Sequence, residues 1–148
     1  MDVCLIDFNT SCFTTDELIT YIQSRAYRAP EVIVGAPYGT KIDIWSLGCV
    51  LYELQTSDVL FAAENLHEAL FKICKITGQV PPSGTNTETY FNEDGSVRGY
   101  EDTTTANLVN LDTQLTDELF RGFVKSLLCV NPIDRPSASD ALSHPWLH

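Results

Sequence analysis

The chain has 148 residues, 44% of them apolar and 20% charged, with a formal net charge of −11 at pH 7. That length sets an expectation of one domain or part of one, and a compact chain of this size buries roughly 70% of its unfolded surface, enough for a core. The acidic balance argues against nucleic acid or an anionic membrane as the main partner.

Val3 to Ile6 is a short apolar run that ends at Asp7, which predicts a brief strand. Asn9 to Thr20 reads as loop, and Ala29 to Val34 as a short helical turn. Ile42 to Leu54 is apolar on nearly every face, so the predicted helix belongs in the centre of a core. Leu66 to Thr77 predicts a second helix, with Lys75 in its last turn and Gly78 as its stop. Asp94-Gly95 lies between short apolar stretches and signals a hairpin. Thr116 is the expected cap of a third helix running to Leu128, with Asp117 and Glu118 suited to its first turn. Ser137 and Asp140 have the spacing of a capping box for a last short helix. The expected class is mainly α.

The five cysteines are Cys4, Cys12, Cys49, Cys74 and Cys129. The count is odd and no C-x-x-C pair occurs, so they read as reduced core thiols of a cytoplasmic or nuclear protein. No signal peptide is expected, and no apolar run is long enough to span a bilayer. Acidic residues thicken between Glu88 and Glu118, where only Arg98 opposes them. A solvated loop face is the plainer expectation there; a site for a basic peptide is the alternative. Trp45 and Trp146 read as core aromatics.

Four landmarks occur in a fixed order: Leu5-Ile6-Asp7-Phe8-Asn9; Tyr21-Ile22-Gln23-Ser24-Arg25-Ala26-Tyr27-Arg28-Ala29-Pro30-Glu31-Val32; Asp43-Ile44-Trp45-Ser46-Leu47-Gly48-Cys49; and Asn131-Pro132-Ile133-Asp134-Arg135-Pro136 with His144-Pro145-Trp146-Leu147 after it. Together they resemble the metal-binding strand end, activation segment, central helix and closing helices of a protein kinase. The second landmark resembles the dual-specificity tyrosine-regulated kinases, the DYRK family of the CMGC group. The long stretch between the second and third helices is similar to the CMGC insert.

The resemblance implies a partial kinase large lobe over residues 1–148. Its parts are the metal-binding strand end and activation segment at 1–34, the central and following helices at 35–78, the insert at 79–115 and the closing helices at 116–148. It implies that Asp7 ligates Mg²⁺ bridging the ATP phosphates, and that Tyr21 is the self-phosphorylated activation tyrosine. Arg25 and Arg28 become candidate clamps for its phosphate, because a guanidinium fork matches phosphate geometry. Ser24 would contact the catalytic loop, Asp43 would cap that loop's backbone, and Glu31 with Arg135 would tie the activation segment to the closing helices. Two positions depart from the family pattern. Asn9 replaces a glycine that tolerates positive φ, and Ala26 replaces a large aromatic.

The glycine-rich loop, the N-lobe lysine and the H-R-D-x-x-x-x-N loop precede the D-F-x triplet in kinases. Here Asp7 has only six residues before it. The N-lobe and catalytic loop are therefore expected to be absent, and the chain alone to be inactive. The expected partners are protein substrates of the parent kinase and the missing N-terminal part of the domain. Mg²⁺ and ATP are expected cofactors of the intact parent and not of this piece. A non-catalytic kinase-like binding module and a pseudokinase remnant remain as alternatives. The chain alone is expected to be marginally stable or aggregation-prone, because parts of its core would lack neighbours.

Overall fold

The computed structural model describes residues 3–15, 22–100 and 108–148. The expectation of a mainly α unit holds: seven α-helices are present among these residues, and no strand. In chain order they are α1 (Pro30–Val34), α2 (Lys41–Thr56), α3 (Leu66–Thr77), α4 (Thr87–Tyr90), α5 (Leu111–Gln114), α6 (Glu118–Leu127) and α7 (Ala138–Ala141). None of them is long and apolar enough to cross a membrane.

Helix α2 is the axis of the fold. Its inner faces bury Ile42, Ile44, Trp45, Gly48, Cys49 and Tyr52. Trp45 is fully buried and stacks on Phe61 with ring centroids 5.5 Å apart. Helix α6 packs against α2 at Gly48, where a Cβ would lie 2.9 Å from Leu128 Cδ2 and 3.1 Å from Leu127 Cβ. Glycine is therefore needed for this close crossing. Gly48→Ala is expected to cost about 1–3 kcal/mol through overpacking, seen as a lowered thermal midpoint.

The expectation that α2 is covered all round is only partly met. Leu47, Val50 and Leu54 form an exposed stripe, Leu54 at 76% exposure. Their spacing of three and four residues places them on one face. Leu47 and Val50 are each about 40% exposed, so this seam is only partly covered by the described residues.

Local chemistry sets the helix ends. Asn65 caps α3 by accepting from Glu68 N at 2.9 Å, and Gly78 closes it in the left-handed region at φ 68°. The cap of α6 is Asp117, accepting from Phe120 N at 2.8 Å, and not Thr116. A carboxylate one residue later does the capping, and the helix starts at Glu118. Ser137 and Asp140 form the expected capping box on α7. The Asp94-Gly95 turn closes a minimal hairpin, with a single antiparallel bridge between Phe91 and Val97.

The predicted strand at Val3–Ile6 does not form. Its side chains are 80–91% exposed where apolar, and a strand without a ladder partner gains nothing from extended pairing. The reading of all five cysteines as core thiols is corrected: Cys4 and Cys12 are exposed, while Cys49 is buried and Cys74 and Cys129 are partly so. Burial pushes the Cys74 thiol up to about 11 and the Cys49 thiol higher still. At pH 8, iodoacetamide is expected to label Cys4 and Cys12 first and to leave Cys49 unmodified until unfolding, since only thiolates react. Trp146 is also less enclosed than expected; it is 37% exposed and stacks on Phe123 at 5.4 Å.

Candidate functional site

Residues 22–30 form a loop bound tightly to the first half of α2. Gln23 sits in the left-handed region at φ 64°. Its side-chain amide donates to Ile42 O at 2.9 Å and to Ser46 Oγ at 2.7 Å, and its Oε1 accepts from Ala29 N at 3.0 Å. Ser46 Oγ in turn donates to Tyr27 O at 2.8 Å. Tyr27 OH donates to Glu53 Oε2 at 2.6 Å. That bond, with burial behind it, raises the Tyr27 phenol above its ordinary value. One amide and one hydroxyl thus fix the loop's path, because the loop's own backbone groups would otherwise lack partners.

The two arginines have different surroundings. Arg28 is buried, donating through Nε to Ile22 O at 2.9 Å and through Nη2 to Gln23 O at 2.7 Å. Arg25 is exposed and donates from Nη1 to Glu64 O at 2.5 Å and Ala63 O at 3.3 Å. Tyr21 lies outside the described residues, so the two guanidiniums are placed without it. Ser24 is exposed at the head of a single turn over Arg25–Tyr27.

The loop runs into α1, whose five residues are all buried. Glu31 and Arg135 meet there in a bidentate pair, Nη1 to Oε1 at 2.7 Å and Nη2 to Oε2 at 2.9 Å, both side chains fully buried. Arg135 also donates to Cys129 O at 2.8 Å and Lys41 O at 2.9 Å. Its guanidinium lies 5.2 Å from the Trp45 ring. Every strong direction of the arginine fork is used, which is the condition under which a buried ion pair is tolerated. The pair joins α1 to the segment after α6 across 104 residues of sequence.

Asp43 lies exposed in the first turn of α2. Asp7 is also exposed, and it is Asp7, at φ 64°, that takes the left-handed conformation and not Asn9. Asn9 instead sits in a turn closed by Ser11 N donating to Phe8 O at 3.0 Å. Among the described residues no group of three or more His, Cys, Asp or Glu is arranged to hold a metal ion. Mg²⁺ needs near-octahedral oxygen ligation. One exposed carboxylate does not supply it, so the residues present do not by themselves fit an Mg²⁺–ATP site.

Sequence reasoning passed over Gln23, Ser46, Tyr27 and Glu53. The side-chain hydrogen bonds from the loop to α2 link residues 19 to 26 positions apart, and no local spacing encodes such contacts.

Comparison with known proteins places this architecture. The protein kinase domain model matches residues 1–147. A probable serine/threonine-protein kinase, dyrk2, of Dictyostelium discoideum is 38% identical over 97% of this chain and 17% of its own length. Dual specificity tyrosine-phosphorylation-regulated kinase 4 of Homo sapiens is 37% identical over 99% of this chain and 30% of its own. A crystal structure of a kinase domain superposes with a TM-score of 0.86 at 31% identity, covering 97% of this chain and 46% of that one. The chain thus spans less than a third of these curated relatives and about half of the solved kinase domain. With the buried Glu31–Arg135 pair, the central Trp45 helix and the Gln23-pinned loop in place, the chain belongs to the protein kinase family as a DYRK-like member of the CMGC group.

Proposed function

We propose that this chain is the activation-segment and large-lobe portion of a kinase whose intact domain transfers the ATP γ-phosphate to serine or threonine of protein substrates. The observation that carries this reading is the loop of residues 22–30 anchored on α2 and α1, joined to a family match over residues 1–147. Positioning and electrostatic stabilisation make up nearly all of phosphoryl-transfer catalysis. A rigid peptide platform is one of the parts this requires.

In the intact parent, Asp7 is the proposed Mg²⁺ ligand and Ser24 the contact to the catalytic loop. Tyr21 is the proposed site of self-phosphorylation, with Arg25 and Arg28 as its clamps. A phosphotyrosine carries about −1.5 to −2 charge, which favours guanidinium partners. Asp43 is the proposed cap of the catalytic-loop backbone. The parent's partners are protein substrates, and its place is inside the cell. These 148 residues contain no H-R-D loop and no glycine-rich phosphate cradle, so the chain alone is proposed to be inactive.

The test is a phosphotransfer assay with Mg²⁺-ATP and a generic basic protein substrate. The parent domain is expected to be active, its Asp7→Asn variant to lose activity by orders of magnitude, and the 148-residue chain to show none. Transfer by the isolated chain would refute the claim that the other parts are required. A second reading, a non-catalytic module that binds a protein, is favoured by the exposed Leu47, Val50 and Leu54 stripe. An inactive parent that still retains a protein partner through this stripe would support it.

A further inference from the structure

Helix α1 is only five residues long, yet it carries Glu31 and receives the whole loop of residues 22–30. A helix this short has no stability of its own. Its last carbonyls are orphans that need donors. For Val34, and for Gly35 just after it, the donors come from the insert, some fifty residues away. Asn86 N donates to Val34 O at 2.9 Å, and Thr85 N donates to Gly35 O at 3.2 Å.

The contact is built on two facing glycines. A Cβ on Gly84 would lie 2.3 Å from Ala36 N and 2.4 Å from Val34 O. A Cβ on Gly35, which sits at φ +69°, would lie 2.4 Å from Thr85 Oγ1. A side chain on Gly84 would have to move backbone; one on Gly35 would meet the Thr85 and Asn86 side chains and would be strained by the positive φ. The strap is itself held closed, with Gly84 N donating to Thr87 Oγ1 at 2.7 Å and Thr87 N to Gly84 O at 3.2 Å. On the other side of α1, Ala36 N returns to Glu31 O at 2.9 Å, and Glu31 holds Arg135.

We propose that the insert strap Gly84–Asn86 is a positioning element for the peptide-side loop, acting through α1. Its residues touch no reacting atom. They cap α1, α1 sets Glu31, and α1 fixes the exit of the loop pinned by Gln23. The consequence for phosphotransfer rests on the kinase reading above; the mechanical coupling does not.

Hydrogen exchange on the intact parent domain, read over these residues, tests the coupling. In the unmodified domain the amides of Thr85, Asn86 and Ala36 are expected to open as one unit, with opening constants within about threefold of each other. Gly84→Ala is expected to speed exchange at Gly35, Ala36, Tyr27 and Arg28 by about tenfold or more, while the α6 amides Val124 to Leu127 keep their rates. Thr85→Pro removes one donor to α1 without adding bulk at Gly84, and the same pattern is expected. Equal acceleration in α6, or no change in α1, overturns the proposal. If neither variant folds, the comparison within the unmodified domain decides: separate opening of the strap and α1 overturns it.

In the parent, Gly84→Ala is expected to raise KM for protein substrate several-fold and leave KM for ATP unchanged. An unchanged protein KM in an active parent also overturns the positioning role. A parent with no phosphotransfer refutes the kinase reading while the exchange result still stands or falls by itself.

Discussion

Arg135→Ala is expected to remove a large share of the chain's stability, seen as a much lower urea midpoint. The substitution leaves the Glu31 carboxylate fully buried without its partner, and it also removes a donor from the carbonyls of Cys129, Val130 and Lys41. Breaking a buried pair on one side costs about 3–5 kcal/mol. Typical domains hold only about 5–15 kcal/mol in total. Glu31→Gln is expected to be milder, since a neutral amide still accepts one arginine bond. A joint Glu31→Leu and Arg135→Met replacement removes both charges together and is expected to cost less than Arg135→Ala alone. Urea titration of the three variants checks the order. A loss below about 1 kcal/mol for Arg135→Ala would show that the pair is not what joins α1 to the closing segment.

Trp45→Ala is expected to cost about 3–5 kcal/mol, because it opens a cavity in the middle of the core. The ring is fully buried between Phe61 and the Arg135 guanidinium. Trp45→Phe is expected to cost distinctly less. It keeps the stack on Phe61 and removes an indole N–H that is buried without a hydrogen-bond partner among the described residues. Leaving such a donor unsatisfied costs about 1–3 kcal/mol, so its removal offsets part of the lost volume. Thermal melts of the two variants distinguish these effects. A phenylalanine variant as unstable as the alanine one would mean that the N–H is satisfied and that the ring edge matters more than the stack.

Much of the fold was legible where the signal is local. Leu66–Thr77 reads as a helix with Lys75 in its last turn and Gly78 as its stop, and the helix has those bounds; the Asn65 cap at its start is a structural finding. The Ser137–Asp140 box and the Asp94-Gly95 turn are also local, and both form. The α6 cap moved from Thr116 to Asp117 because two adjacent residues can both cap and only backbone geometry chooses between them. The Val3–Ile6 strand failed because a strand depends on a partner, and no composition supplies one.

The site was legible in residue identity more than in contact. Glu31 and Arg135 could be named from their motifs, but the bidentate geometry and the third and fourth bonds of Arg135 are tertiary facts. Arg28 was read as a phosphate clamp, and its side chain also holds the backbone of Ile22 and Gln23. Gln23 gave no signal, because an amide that satisfies three partners looks like any other glutamine in the sequence.

On the proposed reading, a larger body rests on the exposed apolar side chains of α2 and of residues 3–13. The native transcript therefore offers the most direct measurement: mapping its 5′ end and translating what precedes Met1. The account predicts an in-frame glycine-rich loop, a lysine strand and an H-R-D-x-x-x-x-N loop upstream. Translation that starts at Met1 would contradict it, and the search would turn to the protein that covers these faces.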